Sequence, residues 1–127
     1  MKILVFAPHA ATWIHAFPEA LIAETLAKAG HEILYVTCDR QFADYCVAMT
    51  AAGVPFGASE AERRAVCDRC RAHASLIRER FQFPTVELGA WLRPGDDAVI
   101  REVVDGAKRG DPSATQFHGL PVGGGGG

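Results

Sequence analysis

Apolar residues in this chain gather into two short unbroken runs and several helical stripes. Ile3-Leu4-Val5-Phe6-Ala7 is the first run, closed by Pro8, and Ile33-Leu34-Tyr35-Val36-Thr37 is the second. Unbroken runs of this length suit strands of a parallel sheet covered on both faces. Between them, residues 16–29 repeat at helical spacing, with Phe17, Leu21 and Thr25 in one stripe and Ile22, Leu26 and Ala29 in the next. Pro18 is tolerated in a first turn, Glu19 suits the positive end of a helix, and Gly30 stands where a carboxyl-terminal cap belongs. Strand, loop, helix, glycine and strand make a βαβ unit, for which a right-handed crossover is expected.

The pattern beyond residue 38 is more broken. Residues 39–52 predict a second helix ending at Gly53, and 54–57 a break. Ser59 followed by Glu62 fits a capping box. It opens a helix running to about Phe81, with Ala65, Val66, Cys70, Ala74 and Ile77 inward. Residues 84–88 predict a short third strand, 93–96 a turn, and 97–108 a last helix with Val99, Ile100, Val103 and Val104 inward. The fold class expected is α/β, a Rossmann-like parallel sheet of at least three strands with flanking helices over residues 1–110. Residues 111–127, ending in Gly123 to Gly127, read as a flexible tail or linker.

Composition narrows the function classes. A length of 127 residues allows one α/β domain and leaves no room for a second. A net charge of -2 argues against nucleic acid as the partner, because phosphate binding needs a concentrated basic surface. The first apolar run is too short for a signal peptide, and no stretch approaches the roughly 18 apolar residues of a transmembrane segment. The expected location is cytoplasmic. There the four cysteines, Cys38, Cys46, Cys67 and Cys70, are thiols or metal ligands rather than structural disulfides.

Ligands of parallel sheets bind beyond the carboxyl ends of the strands. The loop after the first strand, Pro8 to His15, belongs there and holds His9, Trp13 and His15. It carries neither a glycine-rich dinucleotide fingerprint nor a phosphate loop. His15-Ala16-Phe17-Pro18 starts the helix, Gly30-His31-Glu32-Ile33 follows it, and Tyr35-Val36-Thr37 closes the second strand. In these motifs residues 1–40 resemble the amino-terminal, acceptor-side domain of GT-B fold glycosyltransferases of the UDP-glycosyltransferase kind. The run Ala7-Pro8-His9 to Pro18 is also similar to bacterial transferases of surface-polysaccharide assembly. The interval from His15 to Gly30 agrees with the family's spacing.

The resemblance implies that His15 is the general base that deprotonates the acceptor hydroxyl. Imidazole is suited to that task near neutral pH. His9 is a candidate hydrogen-bonding group for substrate, and Trp13 a candidate stacking surface for a sugar face. The plain alternative is that both histidines are loop residues and Trp13 packs the loop. The family orients its base with an aspartate from a later strand, and none is assignable here. The family also binds its nucleotide-sugar donor mostly through a carboxy-terminal domain, so this chain reads as a hexosyltransferase-like acceptor half with the donor domain missing. Its acceptor would be a sugar or lipid-linked hydroxyl, and the transfer would need no metal.

A second chemistry competes. Cys38, Cys46, Cys67 and Cys70 give the ligand count of a tetrahedral zinc site, with an iron–sulfur cluster as the other four-thiolate option. Cys67 and Cys70 stand at i and i+3 of the predicted long helix, on one face. Cys38 and Cys46 lack the usual close spacing, and the plain alternative treats them as small buried apolar residues. The arginines between Arg63 and Arg80 alternate with acidic residues, which reads as a solvated helix face. The alternative functions are therefore a non-enzymatic Rossmann-like module with a four-cysteine zinc or iron–sulfur site, or an inactive fragment.

Overall fold

A computed structural model describes residues 1–121 of the chain, so the terminal polyglycine lies outside the described residues. The chain divides into two compact units, Met1–Trp91 and Leu92–Gly127.

The first unit is a three-stranded parallel sheet with helices packed on it, in the order β1 (Lys2–Ala7), α1 (Trp13–Lys28), β2 (Glu32–Thr37), α2 (Val47–Ala51), α3 (Glu60–Phe81) and β3 (Thr85–Glu87). The sheet order is β1-β2-β3, with Val5 opposite Tyr35 and Tyr35 opposite Thr85. Ala7, Thr37 and Glu87 therefore stand side by side at the carboxyl edge. Strands added in one direction by crossovers of one hand put both crossover helices on the same face. The core agrees: Ile3, Val5, Ala7, Ile33 and Tyr35 meet Ala16, Ala20 and Ala23 of α1 and Ile77 of α3.

Two expectations about this core are corrected. β1 is not covered on both faces, since Leu4 is 56% exposed and Phe6 45%. With α1 and α3 on the same side, no described element of the first unit buries Leu4 and Phe6. The buried face of α1 is also not the Phe17–Leu21–Thr25 stripe. Leu21 and Ile22 are 40% and 63% exposed, while Ala16, Ala20 and Ala23 are sealed against the sheet. Small side chains let the helix axis approach the strands closely, and the larger apolar residues turn outward.

Local signals behave as the chemistry demands. Gly30 takes φ +92 after the last turn of α1, and the His31 amide donates to the Leu26 carbonyl at 3.1 Å. Only glycine adopts that backbone without strain. Ser59 and Glu62 close the capping box in both directions. Residues 39–46 depart from the expected helix, because Asp39 and Arg40 both have left-handed backbone, at φ 43 and 63. Two consecutive left-handed residues forbid a helix start there, and only Val47–Ala51 is helical.

The second unit holds α4 (Asp96–Arg109), a short turn of 3-10 helix (Pro112–Ala114), and strands β4 (Gln116–Phe117) and β5 (Leu120–Pro121), paired antiparallel. None of α4 is buried, so Val99, Ile100 and Val104 do not form the expected inward face. Within its own unit α4 meets little beyond the 3-10 turn. Among the described residues no helix is long and apolar enough to cross a membrane.

Candidate functional site

The loop from Pro8 to Thr12 turns off the carboxyl end of β1 and delivers the chain into α1, which starts at Trp13. Its turn is closed by the Thr12 amide donating to the His9 carbonyl at 2.9 Å. His15 lies in the first turn of α1, its amide donating to the Thr12 carbonyl at 3.0 Å, and its side chain is exposed. Among the described residues no carboxylate is paired with His15.

His9 is the histidine that has a carboxylate. Its Nε2 stands 3.4 Å from Oε2 of Glu19, with both side chains about two-thirds or more covered. Glu19 Oε2 is nonetheless buried without a hydrogen bond. The Tyr35 hydroxyl is buried without a partner as well. Burial and the nearby Glu19 charge push the Tyr35 phenol up to about 12. His9, Glu19 and Tyr35 thus form a polar group under the loop with hydrogen-bonding capacity left over. From the sequence Glu19 reads as a helix-start residue and Tyr35 as a strand residue. Because α1 starts at Trp13 rather than at residue 16, Glu19 is its seventh residue, nearly two turns in.

Trp13 is engaged by protein rather than open on both faces. It stacks on Phe17 at 5.2 Å and meets His73 edge-on at 4.8 Å between ring centres. His73 Nδ1 lies 2.8 Å from the Ala10 carbonyl, so α3 braces the loop from behind. His73 was not singled out in the sequence, because its partner lies 63 residues away.

A cavity of ≈ 120 Å³ opens at the carboxyl edge of the sheet, lined at its base by Ala7, Thr37 and Glu87. All four cysteines line it. Cys38 follows β2 directly, Cys46 caps α2, and Cys67 and Cys70 face it from α3. The cysteines are free, Cys67 is buried, and the Cys70 sulfur accepts the Ala11 amide at 3.1 Å. Burial pushes the Cys67 and Cys70 thiols up, and the neighbouring cysteines reinforce the shift. Arg40, Arg71 and Arg78 also line the cavity, against Asp39 and Glu87. His9 and His15 are not on its wall. Among the described residues no group of three or more His, Cys, Asp or Glu side chains is placed to hold a metal ion.

No family model, curated protein or solved structure matches the chain.

Proposed function

We propose that this chain is the acceptor-binding portion of a GT-B type glycosyltransferase, working on a hydroxyl acceptor presented across the loop between β1 and α1. The observation that carries the reading is the His9–Glu19 pair, 3.4 Å apart, with unspent buried acceptors behind a histidine-bearing loop at a parallel sheet's carboxyl edge. The His-x-x-Pro and Gly-His-Glu resemblance supports the same loop.

In this reading His9, beside Glu19, holds an acceptor hydroxyl by a hydrogen bond. His15, exposed at the helix start, is the proton acceptor. As the hydroxyl oxygen attacks the anomeric carbon, its proton passes to His15 and the bond to the nucleoside diphosphate breaks, with inversion. The donor would be held by a segment other than this one.

Binding and proton transfer separate the two histidines. Titration calorimetry with methyl glycosides of glucose, galactose, mannose and N-acetylglucosamine should show millimolar binding of at least one. His9→Ala should weaken it several-fold, up to about 10-fold, the loss of one hydrogen bond. His15→Ala should leave it within about twofold, since a base contributes to transfer, by roughly 10²–10⁴, and not to ground-state binding. No binding by any of the four glycosides, or equal loss in both variants, would remove the support for these roles.

A further inference from the structure

The four cysteines come from three separate stretches of chain, and the fold brings them to one place. Cys46 and Cys70 pack against the buried cluster of Ala48, Met49, Val66 and Cys67, and Cys38 lines the same cavity as these cysteines. Their convergence is fastened from outside. The segment carrying Cys38 and Cys46 has almost no regular structure, yet three contacts tie it to α3. Arg40 pairs with Asp68, Arg71 reaches Asp39 at 3.5 Å, and Arg63 donates to the Asp44 carbonyl at 2.9 Å. The left-handed pair Asp39-Arg40 turns the chain immediately after Cys38. Strain of that kind persists only where the surroundings over-determine it.

The local chemistry suits a soft cation. Four sulfurs offer the tetrahedral set preferred by zinc, and thiolate ligands discriminate against the hard divalent ions. Four thiolates around Zn²⁺ leave two net negative charges; of the arginines on the same wall Arg40 and Arg71 are paired with Asp68 and Asp39, which leaves Arg78 to offset them. The Ala11 amide already donates to the Cys70 sulfur, the type of outer contact that orients a metal ligand. As they stand the four sulfurs do not surround one metal position, so binding requires the cysteine side chains to turn into the cavity of ≈ 120 Å³ that they line. Zinc–sulfur bonds of about 2.3 Å then require the thiols to close on its centre.

We infer that Cys38, Cys46, Cys67 and Cys70 form a structural four-thiolate zinc centre that clamps the 38–54 segment onto α3. Binding converts four thiols to thiolates and releases their protons to solvent, with no change of oxidation state. The set leaves no open coordination position, so the centre shapes the carboxyl edge and does no chemistry there. It is independent of the sugar reading, because calorimetry with glycosides and metal analysis can fail separately.

The test is elemental analysis of the 127-residue protein purified under reducing conditions in zinc-supplemented buffer without chelators. About one zinc per chain is expected, falling below about 0.2 in Cys67→Ser/Cys70→Ser. Because that variant could misfold, cobalt is also titrated into the reduced, metal-free wild-type chain. Tetrahedral cobalt–thiolate absorption saturating at about one equivalent is expected, with all four thiols shielded from a thiol reagent. Zinc below about 0.2 per chain with no such absorption overturns the centre. Iron with sulfide in place of zinc overturns it in favour of a cluster.

Discussion

Replacing Ile77 by alanine lowers the stability of the first unit by about 2–5 kcal/mol. Ile77 is 1% exposed and sits where α3 meets both α1 and the sheet. Its neighbours include Ala16, Ala20 and Ala23, whose short side chains have no reach to fill the space it leaves. A cavity therefore persists, and its cost adds to the lost transfer energy. A domain of this size typically holds about 5–15 kcal/mol, so a single substitution removes a large share. Urea unfolding followed by far-ultraviolet circular dichroism reads the change as a lower midpoint at constant slope. The control is the adjacent Leu76, 52% exposed, whose alanine variant should stay within about 0.5 kcal/mol. Equal losses at the two positions would contradict the packing of α3 described above.

Alkaline conditions unfold the protein partly through Tyr35. Its phenol is pushed from 10.0 up to about 12 by burial and by Glu19. The folded state therefore holds the proton that the unfolded state gives up. Below pH 10 both states are protonated and the contribution is intact. Between about pH 10 and 12 stability falls, by about 3 kcal/mol in all. Tyr35→Phe removes that titration and a buried hydroxyl that has no partner, so stability near neutrality should hold or rise by about 1 kcal/mol. The difference between the two pH profiles isolates Tyr35. Identical alkaline limbs in wild type and Tyr35→Phe would contradict its assigned environment.

Features governed by nearest neighbours were readable in the sequence. The βαβ unit, the Ser59–Glu62 cap and Gly30 each depend on a few adjacent residues, and each is present in the fold. Periodicity misjudged α1 because it ranks faces by apolar size. Close helix–sheet packing selects for smallness, and Ala16, Ala20 and Ala23 won over Leu21 and Ile22. Sheet coverage of β1 was misread because an apolar run does not say on which side the crossover helices will lie. Residues 39–46 carry no glycine to announce their left-handed turn, so a helix was the natural expectation.

The site divides along the same line. The histidine-bearing loop was legible because it follows a strand and precedes a helix. Glu19 as the partner of His9, and His73 as the brace behind Ala10, depend on contacts that sequence spacing does not encode. The thiol count was visible, but only the fold shows Cys38 and Cys46 on the same cavity wall as Cys67 and Cys70. Those two pairs lie on opposite sides of the 54–57 break, so their meeting is a tertiary fact.

Amide chemical-shift mapping tests the central claim most directly. The ¹⁵N-labelled chain is titrated with the tightest-binding methyl glycoside and, separately, with UDP. The account predicts that the glycoside moves the amides of His9 to His15, on the loop at the carboxyl edge of the sheet, while UDP leaves them in place. Glycoside shifts confined to other parts of the chain, or UDP bound at this edge, would contradict an acceptor site on the β1–α1 loop.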